Sequence, residues 1–295
     1  MLIFLFLACD GDPAKDSDPA VVTDDTGVED SQDSPADDSA PPDDSGKDTD
    51  TEEPPVLWAF SDAASVQAVV EPTVAPVYLA GLVRYWVQAG GEGPGCPAAI
   101  DRGNGTVELD ATACATGSIG GKIVVSGLPA ANQIPDGTPF VMDFQGFSSV
   151  FGLYPVTGAT GALTVTFSGY DPTIHTDSFA AHFEGPSSLF PQGSPSWGGD
   201  YLFEDYDASE GVVDFELTGL ASGFVSNPMY GRASVDVTYK YGSGSCSETS
   251  YYPGTGTWVG SDTLTVTWDG DTDCDACVPY SLAGGGSGEI CGTAN

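Results

Sequence analysis

From Gly105 onward the chain alternates apolar and polar residues, segment after segment, and this period of two limits what it can fold into. The stretches "GTVELD", "GKIVVSG", "PFVMDFQ", "ALTVTFSG", "SFAAHFEG", "GVVDFELTG", "ASVDVTYKY" and "DTLTVTWDG" all carry it. Leu163, Val165 and Phe167 fall on one face. So do Phe215 and Leu217, then Val235, Val237 and Tyr239, then Leu264, Val266 and Trp268. Thr164, Thr166, Asp214, Glu216, Thr265 and Thr267 fall on the other. Strands with one apolar and one polar face pair antiparallel, with one side on a core and one in water. The expected fold is mainly β: a large antiparallel sheet, built as a sandwich or as one curled, barrel-like sheet.

A different period precedes it. In "PVYLAGLVRYWVQAGG", Leu79, Leu82, Val83 and Trp86 stand at i, i+3, i+4 and i+7, which is one helical face. Pro76 suits the first helical turn and Gly90-Gly91 suits the stop. "SDAASVQAVVE" before it predicts a shorter helix, with Ser61 as its N-cap and Pro72 as its end. One or two helices are therefore expected over residues 56–91, at the start of a body running from 56 to 295.

The body holds six cysteines: Cys96, Cys114, Cys246, Cys274, Cys277 and Cys291. An even number suits three disulfides and hence an oxidising compartment. "CPAAIDRGNGTVELDATAC" folds about Asn104-Gly105, a strong hairpin signal that nearly aligns Cys96 with Cys114. "CVPYSLAGGGSGEIC" is symmetric about Gly284, which sets Cys277 opposite Cys291. Cys246 is then left for Cys274. In a reducing compartment, Cys246, Cys274, Cys277 and Cys291 offer a four-cysteine zinc site instead.

The N-terminus explains why a seventh cysteine lies where it does. Leu2 to Ala8 is an apolar run, and Phe6-Leu7-Ala8-Cys9 resembles a bacterial lipobox, in which the cysteine receives lipid. The alternative is an ordinary cleaved export signal occupying residues 1–9. Residues 10–55 carry 17 acids and 2 lysines and almost no large apolar side chains. Such a segment buries too little to offset backbone ordering, so a disordered linker is expected. As a neutral coil it averages ~40 Å end to end, and self-repulsion extends it.

The lipobox-like start, a linker containing "DDTG" and "DDSGKDTDTEE", and a cysteine-bearing β-rich body together resemble predicted lipoproteins of myxobacteria and related bacteria. The resemblance implies a lipid anchor at Cys9 and placement in the cell envelope, at the outer membrane or cell surface. It implies no particular activity.

The whole chain has 43 acids against 7 bases, a net charge of −36, which argues against nucleic acid as a partner. Such self-repulsion also favours a monomer. Local catalytic signatures are missing: there is no G-x-S-x-G, H-E-x-x-H, P-loop or dinucleotide fingerprint. His175 and His182 are the only histidines. His182 falls on the polar face of "SFAAHFEG" and reads as a surface residue, although a spatial Ser–His–Asp triad stays open. Asp269, Asp271, Asp273 and Asp275 alternate in "WDGDTDCDAC", an oxygen-rich turn that is either simply solvated or a weak calcium site. It is not an EF-hand, since Cys274 and Tyr280 replace the required Gly and Glu. No other cofactor is expected. The apparent loop "FPQGSPSWGGDYLFEDYD" gathers Trp197, Tyr201, Glu204, Asp205, Tyr206 and Asp207, a mixture that could hold a glycan or, with paired carboxylates, hydrolyse one.

The expected protein is an exported, lipid-anchored, non-enzymatic envelope or surface protein with a binding or structural role and an unidentified protein or glycan partner. A carrier of a lipid or other apolar ligand and a glycan-active protein are the alternatives. Deleting residues 10–55 is expected to leave the melting temperature of the body within a few degrees by calorimetry; a large drop would mean that the linker packs on it.

Overall fold

A computed structural model describes residues 54–91, 96–114, 118–151, 154–185, 197–213, 216–242, 250–268 and 277–291. Its body is mainly β. Thirteen strands form one antiparallel sheet in strict sequence order: β1 (Ala98–Gly103), β2 (Thr106–Asp110), β3 (Ile119–Ser126), β4 (Phe140–Ser149), β5 (Val156–Ser168), β6 (Asp171–Gly185), β7 (Trp197–Val213), β8 (Glu216–Asn227), β9 (Gly231–Gly242), β10 (Ser250–Val259), β11 (Thr263–Trp268), β12 (Cys277–Leu282) and β13 (Gly286–Cys291). The sheet does not close into a barrel; β1 and β13 are its edges. In a sequential meander all odd-to-even turns gather at one end and all even-to-odd turns at the other.

One helical rod, Ala63–Ala89, is applied to the apolar face. It consists of α1 (Ala63–Val70), a 3-10 turn (Glu71–Val74) and α2 (Ala75–Ala89). The N-cap of α1 is Asp62 rather than Ser61. Asp62 Oδ1 accepts from Ser65 N at 2.8 Å, and Ser65 Oγ accepts from Asp62 N at 3.1 Å, a reciprocal capping box. Pro72 does not end the helix as expected. Lacking an N–H, it breaks α-bonding for one turn, and the 3-10 turn carries the axis through. Gly90 closes α2 in the left-handed region, φ 73°.

The rod is long and apolar enough to span a bilayer, yet 83% of its most apolar window is buried within the body. Val66, Val69, Val70, Leu79, Val83, Trp86 and Val87 are all buried. A helix apolar nearly all round needs cover on several sides, and the curled sheet supplies it. The rod lies along β6 and β7, with α1 also touching β13 and α2 touching β2. Trp86 meets Phe147 edge-on at 5.6 Å between centroids, and rings continue inward through Phe144, Phe179, Phe203 and Tyr206 at 5.0–6.2 Å.

Curvature comes from a row of faults in the ladder. The register slips between β3 and β4, β4 and β5, β5 and β6, and β7 and β8. Gly161 on β5 has φ 97°, and any Cβ there would collide with the Ser178 carbonyl of β6. Gly223 on β8 has φ 127° and faces the bulged Asp205 of β7, itself at φ 44°. Glycine kinks and bulges of this kind bend a sheet.

Most expected strands are present, with two corrections. "GVVDFELTG" is not one strand: β7 ends at Val213, β8 begins at Glu216, and residues 214–215 join them. The apparent loop around 197–207 is the first part of β7, the longest strand. Both designed-looking hairpins form. Asn104 and Gly105 take φ 53° and 70°, and Cys277 pairs with Cys291 across the turn at Gly284.

Fixed polar contacts index the rod in its trough. Trp58 Nε1 donates to Ser65 O at 3.1 Å, Trp258 Nε1 to Thr73 Oγ1 at 3.4 Å, and Tyr206 Oη to Thr73 O. Replacing Tyr206 with Phe strips the buried Thr73 carbonyl of this donor. We expect a loss of ~1–3 kcal/mol, read as a lower urea midpoint with an unchanged slope.

Candidate functional site

The sheet's outer face carries the charge, and its centre is β6. Alternation along this strand changes phase once: Ile174 and Thr176 point inward, then Phe179, Ala181 and Phe183. That slip lets His175 and His182, seven residues apart, both face outward. His175 is in register with Thr164 of β5 and Asp207 of β7; His182 is in register with Thr157 and Asp200. The same device is thus built twice. His182 Nδ1 lies 2.7 Å from Asp200 Oδ1, and its Nε2 lies 3.1 Å from Glu184 Oε1. His175 Nδ1 lies 2.9 Å from Asp207 Oδ1, and its Nε2 lies 3.3 Å from Asp177 Oδ1. Each imidazole is clamped between a cross-strand Asp and a carboxylate two residues on.

An open groove of about 540 Å³ runs beside the second clamp, lined by Thr157, Gly158, Ala180, His182, Glu184 and Asp200, with Ala181 and Tyr201 beneath. Both ring nitrogens of each histidine face a carboxylate, so neither is presented to a hydroxyl nucleophile as a triad base would be. What the clamps do is neutralise charge. The Asp207 hydrogen bond raises the His175 pKa above its ordinary value, helped by Asp177. At His182 partial burial opposes the charge, but the bonds to Asp200 and Glu184 outweigh it and the pKa is again raised.

Arg84, Arg102, Lys122 and Arg232 are also committed. Arg232 pairs with Glu204 at 3.1 Å and stacks on Phe224. Arg102 and Lys122 share Glu108, and Lys122 reaches Asp110. Hydrogen bonds from the Thr112 side chain and backbone, then Lys122, pull the Asp110 carboxyl down to about 2. Arg84 lies over Phe167 and Tyr170 and donates to Gly169 O at 2.6 Å.

The residues expected to cradle a glycan do not converge. Tyr201 and Tyr206 are buried on the inner face, Glu204 is held by Arg232, Asp207 by His175, and Asp205 stands alone at the bulge. Trp197 begins β7, and its side chain is outside the described residues. The bulge at Asp205 broke the period-two signal here and made a strand read as a loop. The histidine clamps were missed for a related reason: their partners are cross-strand neighbours 18 and 32 residues away.

Cys96 and Cys114 are disulfide-bonded, Cα to Cα 5.5 Å. The ladder bulge at Asp101–Gly103 shifts register away from the expected alignment. The pair meets instead because the chain turns after β2, with Cys114 N donating to Ala111 O at 3.1 Å. Cys277 is also in a disulfide, with Cys291 facing it in the ladder. Cys246, Cys274, Asp269, Asp271, Asp273, Asp275 and Cys9 lie outside the described residues. Among the described residues no cluster of three or more His, Cys, Asp or Glu is arranged to hold a metal.

No protein-family model, curated protein or solved structure matches the chain.

The raised histidine values fix a pH dependence. Protonated imidazole is favoured in the folded state, so the stabilisation is complete below the ordinary value near 6.5 and is lost as pH rises through the raised folded value. Above that, Asp200 and Glu184, and Asp177 and Asp207, face neutral rings. Urea unfolding of the wild type is expected to show stability falling between pH 6 and pH 9 relative to a His175→Gln/His182→Gln variant. Parallel profiles would remove the clamps as a stabilising element.

Proposed function

We propose that the chain is an exported, lipid-anchored envelope or surface protein whose body is a non-enzymatic binding or structural module. The observation that carries this reading is the filled trough. The concave face that would cradle a small ligand is occupied by the chain's own helix, packed down to Val66, Val69, Val83 and Trp86. Burying such side chains is worth ~1.5–3 kcal/mol each. Releasing the rod would therefore cost about as much as the ~5–15 kcal/mol that holds a typical domain together. That argues against an apolar-ligand carrier, and the inward Tyr201 and Tyr206 argue against a glycan site on β7.

Two features support export and anchoring. The Cys96–Cys114 disulfide suits an oxidising compartment. Cys9 sits between an apolar run and a dense acidic linker. Acylation at Cys9 is tested by replacing it with Ser, labelling cells with a clickable fatty acid, and fractionating. Wild type is expected to carry label in the membrane fraction and the variant to lose it; equal labelling with both proteins soluble overturns the anchor.

A further inference from the structure

We propose that Asn104 is a self-modifying site. Its side-chain amide condenses with the Gly105 backbone nitrogen, and the products are aspartate and isoaspartate at the tip of the β1–β2 hairpin. Water is the only co-reactant.

The step balances on the chain's own atoms. The Gly105 nitrogen gives its proton to solvent base and attacks Asn104 Cγ. A new C–N bond forms, the bond from Cγ to the side-chain nitrogen breaks, and ammonia leaves. Water then opens the resulting succinimide. Cleavage at Cγ gives aspartate with the ordinary backbone. Cleavage at the Asn104 backbone carbonyl gives isoaspartate, in which the main chain runs through Cβ and Cγ.

Among the described residues the asparagines are Asn104, Asn132 and Asn227. Asn227 precedes Pro228, which has no N–H to attack with, and its own Nδ2 donates to Asp200 O at 3.0 Å. At Asn132 the nucleophile is the Gln133 nitrogen, whose N–H is committed to Ala130 O at 3.1 Å. Asn104 differs on each count. It is exposed, and the next residue is glycine, which crowds the attack least. Among the described residues the Gly105 N–H finds no acceptor.

The fold sets both the rate and the consequence. Asn104 and Gly105 sit at φ 53° and 70°, between the paired Gly103 and Thr106. In this left-handed turn the amide carbon and the Gly105 nitrogen diverge, so the ring closes only when the turn opens. β1 is an edge strand, held on one side by β2, which makes that opening local. The two products then part. Aspartate tolerates the left-handed region and keeps the turn. Isoaspartate adds a methylene to a backbone that has no slack. Gly105 O accepts from Leu128 N at 2.9 Å, and a Cβ on Gly105 would already lie 2.2 Å from Leu128 O. The extra atom pushes the tip off Leu128 and frees the turn end of β1. The Cys96–Cys114 disulfide keeps the other end of the hairpin tethered.

Incubating the folded full chain at mildly alkaline pH and mapping its peptides by mass tests this. Asn104 is expected to exchange –NH2 for –OH at least about fivefold faster than Asn132 in the same sample, and more slowly than in the chain unfolded by urea. Both products are expected, separated by chromatography. Hydrogen exchange is expected to find the Leu128 amide protected in the unmodified chain and in a fresh Asn104→Asp chain, and unprotected in the isoaspartate form. Asn104→Gln, whose longer side chain closes the ring poorly, is expected to stay unmodified. Conversion of Asn104 no faster than Asn132 overturns the site. Conversion as fast as in urea overturns control by the turn, and Leu128 protection that survives in the isoaspartate form overturns the release of β1.

Discussion

The buried hydrogen bond from Tyr206 to the Thr73 carbonyl holds the two halves of this structure in register. Pro72 and Pro76, which carry no N–H, interrupt the helical ladder inside a rod that is apolar nearly all round; Pro76, three residues after Thr73, leaves the Thr73 carbonyl in the core without a 3-10 donor. A backbone carbonyl left bare there would cost the full desolvation of a polar group. Tyr206 from β7 reaches Thr73 O, Thr73 Oγ1 donates to Val69 O at 2.9 Å, and Trp258 from β10 reaches Thr73 Oγ1. Burial pushes the Tyr206 phenol pKa far up, keeping it a neutral donor. The break at the prolines thus ties the helical rod to β7 and β10.

Wrapping that rod needs a sheet that bends. A flat antiparallel sheet would cover one side of a helix and leave Val66 or Trp86 wet on the other. The faults on β3 to β8 supply the bend, and Gly161 and Gly223 admit the close backbone approach that it requires. The same faults set the phase of β6 and bring His175 and His182 to one face. Core curvature and surface electrostatics are therefore consequences of one geometric device.

The surface that results is divided by chemistry. Arg84, Arg102, Lys122 and Arg232 are each spent on a carboxylate, a ring or a backbone oxygen. The two histidines extend this economy, since their carboxylate partners raise their pKa values and favour the charged ring. Charge of both signs gathers on the outer face, at the clamps of β6 and β7.

The sequence by itself determined the local elements. Period two marked most strands, Asn104-Gly105 and Gly284 marked two hairpins, and Gly90 marked the helix end. Each of these is a near-neighbour effect, decided by backbone sterics and alternation within a dozen residues. Tertiary structure alone decided the rest. It made one open sheet rather than a sandwich, because the choice depends on what fills the concave face. It turned "SWGGDYLFEDYD" from a loop into β7, because a bulge at Asp205 is stable only against Gly223 of β8. It dispersed Tyr201, Glu204, Tyr206 and Asp207 between a core and a surface. It also built the His–carboxylate clamps, whose cross-strand members are 18 and 32 residues apart in the chain. Cross-strand pairing obeys register, and register here is set by bulges whose partners lie far away in the chain.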